Sequence, residues 1–245
     1  AFMENPIQPD LSIVILAYRA EESIIGFVDQ VIEHLTRNSV DAYEIVLVAN
    51  YDVDGTPDRT PEVVKRIAQW NPKICTVTKP KEGMMGWDAR EGLFASRGRV
   101  IALIDGDGQM PPEDIIRAYK LLVSGEYQFV KTYRTSREDG LFRILASRGF
   151  NFIFCLLFPQ CNLRDINSKP KLITQDALTR MNLSCDGWFF DAELILETIR
   201  LRLPYLEIPT HFKNNEWRAS FVNLSTVFEM LQSMIQYRLR KNKSR

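Results

Sequence analysis

The sequence predicts an α/β protein built on a doubly wound, largely parallel sheet, and three observations carry that prediction. Short apolar runs alternate with stretches of helical spacing through the first hundred positions. One run, Val100-Ile101-Ala102-Leu103-Ile104, leads straight into Asp105-Gly106-Asp107-Gly108-Gln109, the pattern of a buried strand ending in polar ligands at the edge where open sheets hold them. At 245 residues the chain is also long enough to bury its core as one domain.

Leu11 to Ala17 reads as the opening strand. Tyr18-Arg19-Ala20 turns the chain, and Ile24, Phe27, Val28, Val31, Ile32 and Leu35 then recur at the spacing of a helix with one buried face. Tyr43 to Ala49 is a second strand, and Asp52-Val53-Asp54-Gly55-Thr56-Pro57 is a turn-rich loop. Pro61, preset for a first helical turn, opens a second helix that ends at Trp70. Ile74 to Thr78 is a third strand, and Trp87 to Arg97 a third helix stopped at Gly98. After the Asp105 strand come a helix over Glu113 to Ser124 and a strand over Gln128 to Tyr133, and then the pattern loses regularity. Leu141 to Leu157 reads as a helix with an almost wholly apolar second half, Trp188 to Arg200 as another, and Tyr205 to Phe212 as a strand. From Phe221 on, Leu224, Val227, Phe228, Leu231, Met234, Ile235 and Leu239 keep helical spacing into a tail with Arg238, Arg240, Lys241, Lys243 and Arg245, an amphipathic helix with a cationic end. The expected division is a tail over 1–10, in which Ala1-Phe2 ahead of Met3 reads as a cloning remnant, a main domain over 11–220, and the terminal helix over 221–245.

Lys and Arg number 31, as do Asp and Glu, so no global charge points to nucleic acid as a partner. Cys75, Cys155, Cys161 and Cys185 show neither C-x-x-C nor zinc spacing and read as core thiols of a reducing, cytoplasmic compartment. The most apolar run, Phe150 to Phe158, falls well short of the ~20 residues of a spanning helix.

Asp105 and Asp107 offer hard oxygen ligands suited to Mg²⁺ or Mn²⁺, with a substrate's phosphates completing the coordination. They face one way if the strand continues, and can still converge on one cation if the chain turns at Gly106. On this motif alone, a solvated Asp-Gly turn stays open as the other reading.

Several segments in series resemble the family 2 glycosyltransferases of GT-A fold, and within them the polyprenyl-phosphate sugar transferases. These are Leu11 to Tyr18 with Glu21-Glu22; Asp54-Gly55-Thr56; the series Gly83, Gly86, Arg90, Gly92 and Gly98; Asp105 to Gln109; Arg134 and Arg143; Arg164-Asp165-Ile166-Asn167-Ser168; and Gly187 to Leu194. The resemblance implies a Rossmann-like, three-layer α/β/α fold with a mostly parallel central sheet. It implies that Asp105, Asp107 and Gln109 bind the divalent ion on the diphosphate of a GDP- or UDP-hexose donor, and that Tyr18, Glu21 and Asp54 lie by the nucleotide. Arg218 and Ser220 stand near a donor-binding segment of the family. Arg134 and Arg143 would hold the acceptor phosphate, for which the planar guanidinium fork is suited, with Asp165, Ser168 and Lys169 beside them. Gly83 and Gly86 are assigned to backbone geometry rather than contact.

A phosphate monoester acceptor, with a second pKa near ~6, is already anionic at neutral pH and needs no catalytic base. A saccharide hydroxyl would need one, and Asp186, Asp191 or Glu193 would be the candidates, Asp191 foremost. The implied activity is an inverting, metal-dependent transfer of a hexose to a polyprenyl phosphate at the cytoplasmic face of a membrane. Two alternatives stand beside it: a GT-A enzyme acting on a saccharide hydroxyl, and a non-catalytic nucleotide-sugar-binding protein. The second is suggested by Ala49-Asn50 where relatives carry paired Asp, and by Lys169 where they carry Gly. For Phe150 to Phe158 and the terminal helix, plain core, a contact in a homo-oligomer and the lipid interface are all open.

Overall fold

A computed structural model describes residues 8–135, 149, 152–161, 163–213 and 224–243. Seven strands form one sheet in the order β3-β2-β1-β4-β6-β5-β7. The first four are β1 (Leu11–Leu16), β2 (Tyr43–Val48), β3 (Ile74–Val77) and β4 (Val100–Asp105). The helices α1 (Ser23–Arg37), α2 (Thr60–Trp70) and α3 (Met85–Ala95) link them. All pairings among these four strands are parallel.

Alternation along the strands explains the layers. Leu11, Ile13, Ile15 and Ala17 of the first strand and its extension face α1, α2 and α4 (Glu113–Val123), whereas Val14 and Leu16 face α3 and α7 (Phe190–Arg200). Both faces of β1 are covered, so all six residues are buried, each large aliphatic contributing about 1.5–3 kcal/mol through burial. α3 lies close on the sheet because Gly92 has no Cβ: one there would clash with Val14 and Val48.

β1 lies between β2 and β4, and the register sets Leu16 level with both Val48 and Asp105. The carboxyl ends of three strands therefore form one edge at the point where the strand order reverses, which is where such sheets open a crevice.

The second half departs from the reading of irregular chain after Tyr133. β5 (Phe129–Arg134) pairs in parallel with β7 (Tyr205–Thr210), and between β4 and β5 lies β6 (Lys171–Thr174), antiparallel to both and followed by α6 (Gln175–Arg180). The four-residue β6 opens on a buried lysine, so it lacks the apolar run by which strands are recognised. Helix α5 covers residues 152–157, and α8 (Leu224–Lys243) ends the described chain. Phe154, Phe158, Met230 and Met234 are buried in one cluster, while Phe152, Leu156, Phe228, Ile235 and Leu239 are exposed, so each helix has both a core face and an outward apolar face.

The reading of all four cysteines as core thiols is corrected. Cys161 is buried and Cys185 half-buried, but Cys75 on edge strand β3 and Cys155 on α5 are exposed, and all four are free. Arg143, Arg218 and Ser220 lie outside the described residues, as does the part of the expected 141–157 helix ahead of position 152, apart from position 149.

Candidate active site

Three side-chain groups occupy the carboxyl edge of the sheet. The first follows β1 and β2. Arg19 and Glu21 both take positive φ, which turns the chain sharply after Tyr18. The Tyr18 hydroxyl donates to Asp52 Oδ2 at 2.5 Å, and Arg19 Nη2 donates to the same oxygen at 2.9 Å. Burial and then Asp52 push the Tyr18 phenol up to about 12. Lys81 Nζ lies 4.3 Å from the centre of the Tyr18 ring and pairs with Asp88, whose other oxygen accepts from Asn50 Nδ2 at 2.8 Å. Burial raises the Asp88 carboxyl against the opposing pull of Lys81. Glu21 is exposed, and its backbone N–H donates to Thr60 Oγ1. Asp54 is exposed too, accepting from Thr56 N, which holds its carboxyl below the usual range. Asp52, which lies outside the motif that singles out Asp54, is thus the carboxylate that touches Tyr18.

The second group is the end of β4. The strand stops at Asp105, whose side chain is 36% exposed, and Gly106 turns back beneath β1, its N–H donating to Leu16 O at 2.8 Å. A Cβ on Gly106 would lie 2.6 Å from Ile24 Cδ1 and 3.0 Å from Leu16 O, so the close approach of this turn to β1 and α1 suits glycine. Asp107 Oδ1 accepts from Gln109 N at 3.0 Å across Gly108, which takes φ +72°. The chain thus turns immediately after Asp105 instead of continuing as a strand.

The third group comes from β5, β6 and α7. Antiparallel pairing sets Leu103 opposite Lys171, and continuing that register by two residues sets Asp105 opposite Lys169. Lys169 Nζ donates to Asp105 Oδ2 at 3.2 Å and to Asp191 Oδ2 at 3.0 Å. Lys171 Nζ donates to Asp191 Oδ1 at 2.6 Å and to Ser168 O at 2.9 Å. Burial alone would raise the Asp191 carboxyl, but the two ammoniums outweigh it and hold the group below its ordinary value. Burial alone would lower Lys169, but Asp105 and Asp191 pull it up, whereas burial prevails at Lys171 and pushes it down to about 8.

Arg134, at the end of β5, grips Asp165 with its fork: Nε to Oδ2 and Nη2 to Oδ1, both 2.7 Å. Lys131, three residues earlier on the same strand, is fully buried and donates to the carbonyls of Arg164 and Asp165 and to Glu207 Oε1, so the loop carrying Asp165 is tied to β5 and β7. Ser168 is also fully buried, its hydroxyl 2.8 Å from Thr132 Oγ1. Of the acceptor-side residues expected from sequence, Arg134, Asp165, Ser168 and Lys169 therefore sit around one β5–β6 junction, and all four are engaged by protein partners.

The other late carboxylates are occupied as well. Glu193 accepts from the backbone N–H of Ser184 and of Cys185, and Asp186 pairs with Arg90. The interior pairs Lys171–Asp191, Lys131–Glu207 and Lys81–Asp88 escaped sequence reading. The one available signal was lysine at alternate positions, 169 and 171, opening a run that continues as Leu172-Ile173.

The sequence profile of the family described as Glycosyl transferase family 2 matches residues 12–190, a span that contains all three groups but for Asp191 and Glu207. The chain belongs to that family. It is a glycosyltransferase of GT-A fold. It is 25% identical over 250 residues to a dolichyl-phosphate beta-glucosyltransferase of Homo sapiens, covering 94% of this chain and 75% of that protein. It is 32% identical over 145 residues to an undecaprenyl-phosphate 4-deoxy-4-formamido-L-arabinose transferase of Pectobacterium carotovorum, covering 59% of this chain and 42% of the other. Among solved structures, glucosyl-3-phosphoglycerate synthase of Mycobacterium tuberculosis in complex with Mn²⁺, UDP-glucose and phosphoglyceric acid shares the fold, with TM-score 0.65, 19% identity, and coverage of 93% of this chain and 77% of that one.

Proposed function

We propose that this glycosyltransferase moves a hexose from a nucleotide-diphosphate sugar to the phosphate of a polyprenyl phosphate, in a metal-dependent, inverting displacement at a membrane surface. The acceptor assignment is carried by one observation: Asp191, the buried carboxylate linked through Lys169 to Asp105, has both oxygens bonded to lysine ammoniums and a lowered pKa. Such a group does not take a proton from a hydroxyl near neutral pH. Asp186 and Glu193 are committed to Arg90 and to backbone amides. An acceptor that arrives already ionised needs none of them, and a phosphate monoester is one. The named activities of the human and Pectobacterium relatives, both lipid-phosphate glycosyl transfers, support the same choice.

Asp105 and Asp107 fit Mg²⁺ or Mn²⁺, which take one or two carboxylates and leave their other positions to phosphate oxygens and water. Gln109 stands at the far side of the same turn as a third candidate ligand. Among the described residues no group of three or more His, Cys, Asp and Glu side chains could hold a metal, so an ion at this turn depends on substrate oxygens and water for its remaining ligands. When bound, the ion supplies Lewis-acid stabilisation of the charge that develops on the leaving nucleoside diphosphate. The Mn²⁺ and UDP-glucose in the Mycobacterium neighbour support this donor class, while the nucleotide of this chain is open between UDP and GDP. Tyr18, with Asp52 and Arg19, flanks the nucleotide end of the crevice. Arg134, fixed by Asp165, orients the acceptor phosphate, and with both partners held, the displacement depends on position and electrostatics.

No helix among the described residues is long and apolar enough to cross a membrane. The exposed Phe152 and Leu156 of α5 and Phe228, Ile235 and Leu239 of α8 suit attachment at the interface, where the polyprenyl tail stays while its phosphate enters the site. The donor half is tested by calorimetry of UDP and GDP with and without Mn²⁺. One nucleotide binds only with the metal, and Asp107→Asn abolishes that binding; nucleotide binding indifferent to both would sink the assignment. The acceptor half is tested by supplying labelled donor with polyprenyl phosphate and, separately, with a saccharide acceptor: only the lipid phosphate, already ionised at neutral pH, is glycosylated. Transfer to the saccharide hydroxyl with none to the lipid phosphate would favour the hydroxyl acceptor instead.

A further inference from the structure

Lys169 is an unusual neighbour for a metal-binding carboxylate. It is 3% exposed, and its position is set by two independent features: the β4–β6 register that faces it to Asp105, and Asp191, which binds it from the interior side at 3.0 Å. Asp191 is itself fixed by Lys171 and lies at the buried start of α7. Asp191 therefore anchors the Lys169 ammonium within reach of Asp105. Among the described residues no hydrogen-bond donor reaches Asp105 Oδ1, so the ammonium holds one oxygen of a side chain that is partly exposed.

The charges of this group already cancel: two ammoniums, Lys169 and Lys171, stand against two carboxylates, Asp105 and Asp191. A bare divalent cation approaching Asp105 meets a carboxylate whose charge is compensated and a fixed positive charge on its other oxygen. A cation accompanied by a diphosphate brings its own negative charge and further oxygen ligands. We propose that Lys169 is a positioning residue that orients Asp105 and discriminates against metal binding in the absence of nucleotide, so that metal and nucleoside diphosphate enter together. This rests on the assignment of Asp105 and Asp107 as the metal carboxylates.

The test is titration of Mn²⁺, followed by the paramagnetic resonance signal of the free ion, into the full chain alone and with UDP or GDP. The wild type takes up Mn²⁺ at least tenfold more weakly alone than with its nucleotide. Lys169→Gln keeps a donor between the two carboxylates without the charge, leaves Lys171 and Asp191 as a neutral pair, and gains at least tenfold in affinity for Mn²⁺ alone. Lys169→Arg keeps the wild-type pattern. A folded Lys169→Gln variant that binds Mn²⁺ alone no better than wild type overturns the inference and leaves the proposed function standing. Wild-type protein that binds Mn²⁺ equally well alone overturns it with no variant needed, and this measurement decides if Lys169→Gln does not fold. Wild-type protein that takes up no Mn²⁺ even with UDP or GDP overturns the metal assignment and this inference with it.

Discussion

Arg134 shows how much of the site depends on a single paired side chain. Its guanidinium is locked by two 2.7 Å bonds to Asp165, and a lysine has no second parallel donor to replace them. Arg134→Lys is expected to lower kcat/KM for the lipid acceptor by about 10–100-fold while nucleotide binding stays within about twofold; steady-state kinetics with each substrate varied separately check this. Asp165→Asn should cost about 1–3 kcal/mol of stability through the weakened pair, measured by denaturant unfolding. The cysteines give a second prediction. Cys161 and Cys185 are pushed up to about 11 by burial, so at pH 8 only about a thousandth of each is thiolate, whereas Cys155 is exposed. Brief iodoacetamide treatment followed by peptide mass spectrometry should label Cys155 well ahead of both. The placement of Asp105, Asp107, Tyr18 and Arg134 at the sheet edge was legible because each ends a recognisable strand or lies in the turn just after one. Lys131, Lys171, Asp88 and Asp191 were not legible as an interior network, because a buried charge in a sequence looks like a solvated one until the fold brings up its opposite.

At the level of elements, the β-α steps up to β4 were readable from periodicity because both faces of β1, β2 and β4 are covered. β6 was not, since its place depends on pairing with β4 and β5 and its first residue is a lysine. That strand matters most to the site, because its antiparallel direction brings Ser168, Lys169 and Lys171 back to the end of β4. Helix α7 is tied to its surroundings by Glu197, which binds Arg200, the N–H of Asn182 and the hydroxyl of Tyr237 on α8. Burial raises the Glu197 carboxyl, but these donors outweigh it and the net shift is downward. A carboxyl lowered in the folded state stabilises above its unfolded pKa, near ~4.3, and loses that contribution as pH falls through the lower folded value. Glu197→Gln should therefore flatten the loss of melting temperature between about pH 5 and 3, as followed by circular dichroism. For α8, replacing Phe228, Ile235 and Leu239 together by Ser should cut sedimentation with anionic vesicles severalfold with little change in melting temperature, because these side chains are exposed.

Across the whole molecule, one sheet edge gathers the described residues of the proposed site. β1 and β2 bring Tyr18 and Asp52 together, β4 brings Asp105 with Asp107 in the turn after it, and β5 with the start of β6 brings Arg134, Lys169 and Lys171. The parallel pairing within β3-β2-β1-β4 is what the alternation of strands and helices implied, while the order itself comes from the structure. The insertion of β6, which joins the end of β5 to the end of β4 through Lys169, required the three-dimensional pairing. Transfer to a phosphate oxygen without a protein base is checked by incubating the protein with radiolabelled UDP-glucose or GDP-mannose, Mn²⁺ and vesicles containing either polyprenyl phosphate or the corresponding polyprenol. Labelled glycolipid is expected from the phosphate and none from the alcohol. Transfer to the polyprenol, or to an added saccharide with none to polyprenyl phosphate, would contradict that expectation.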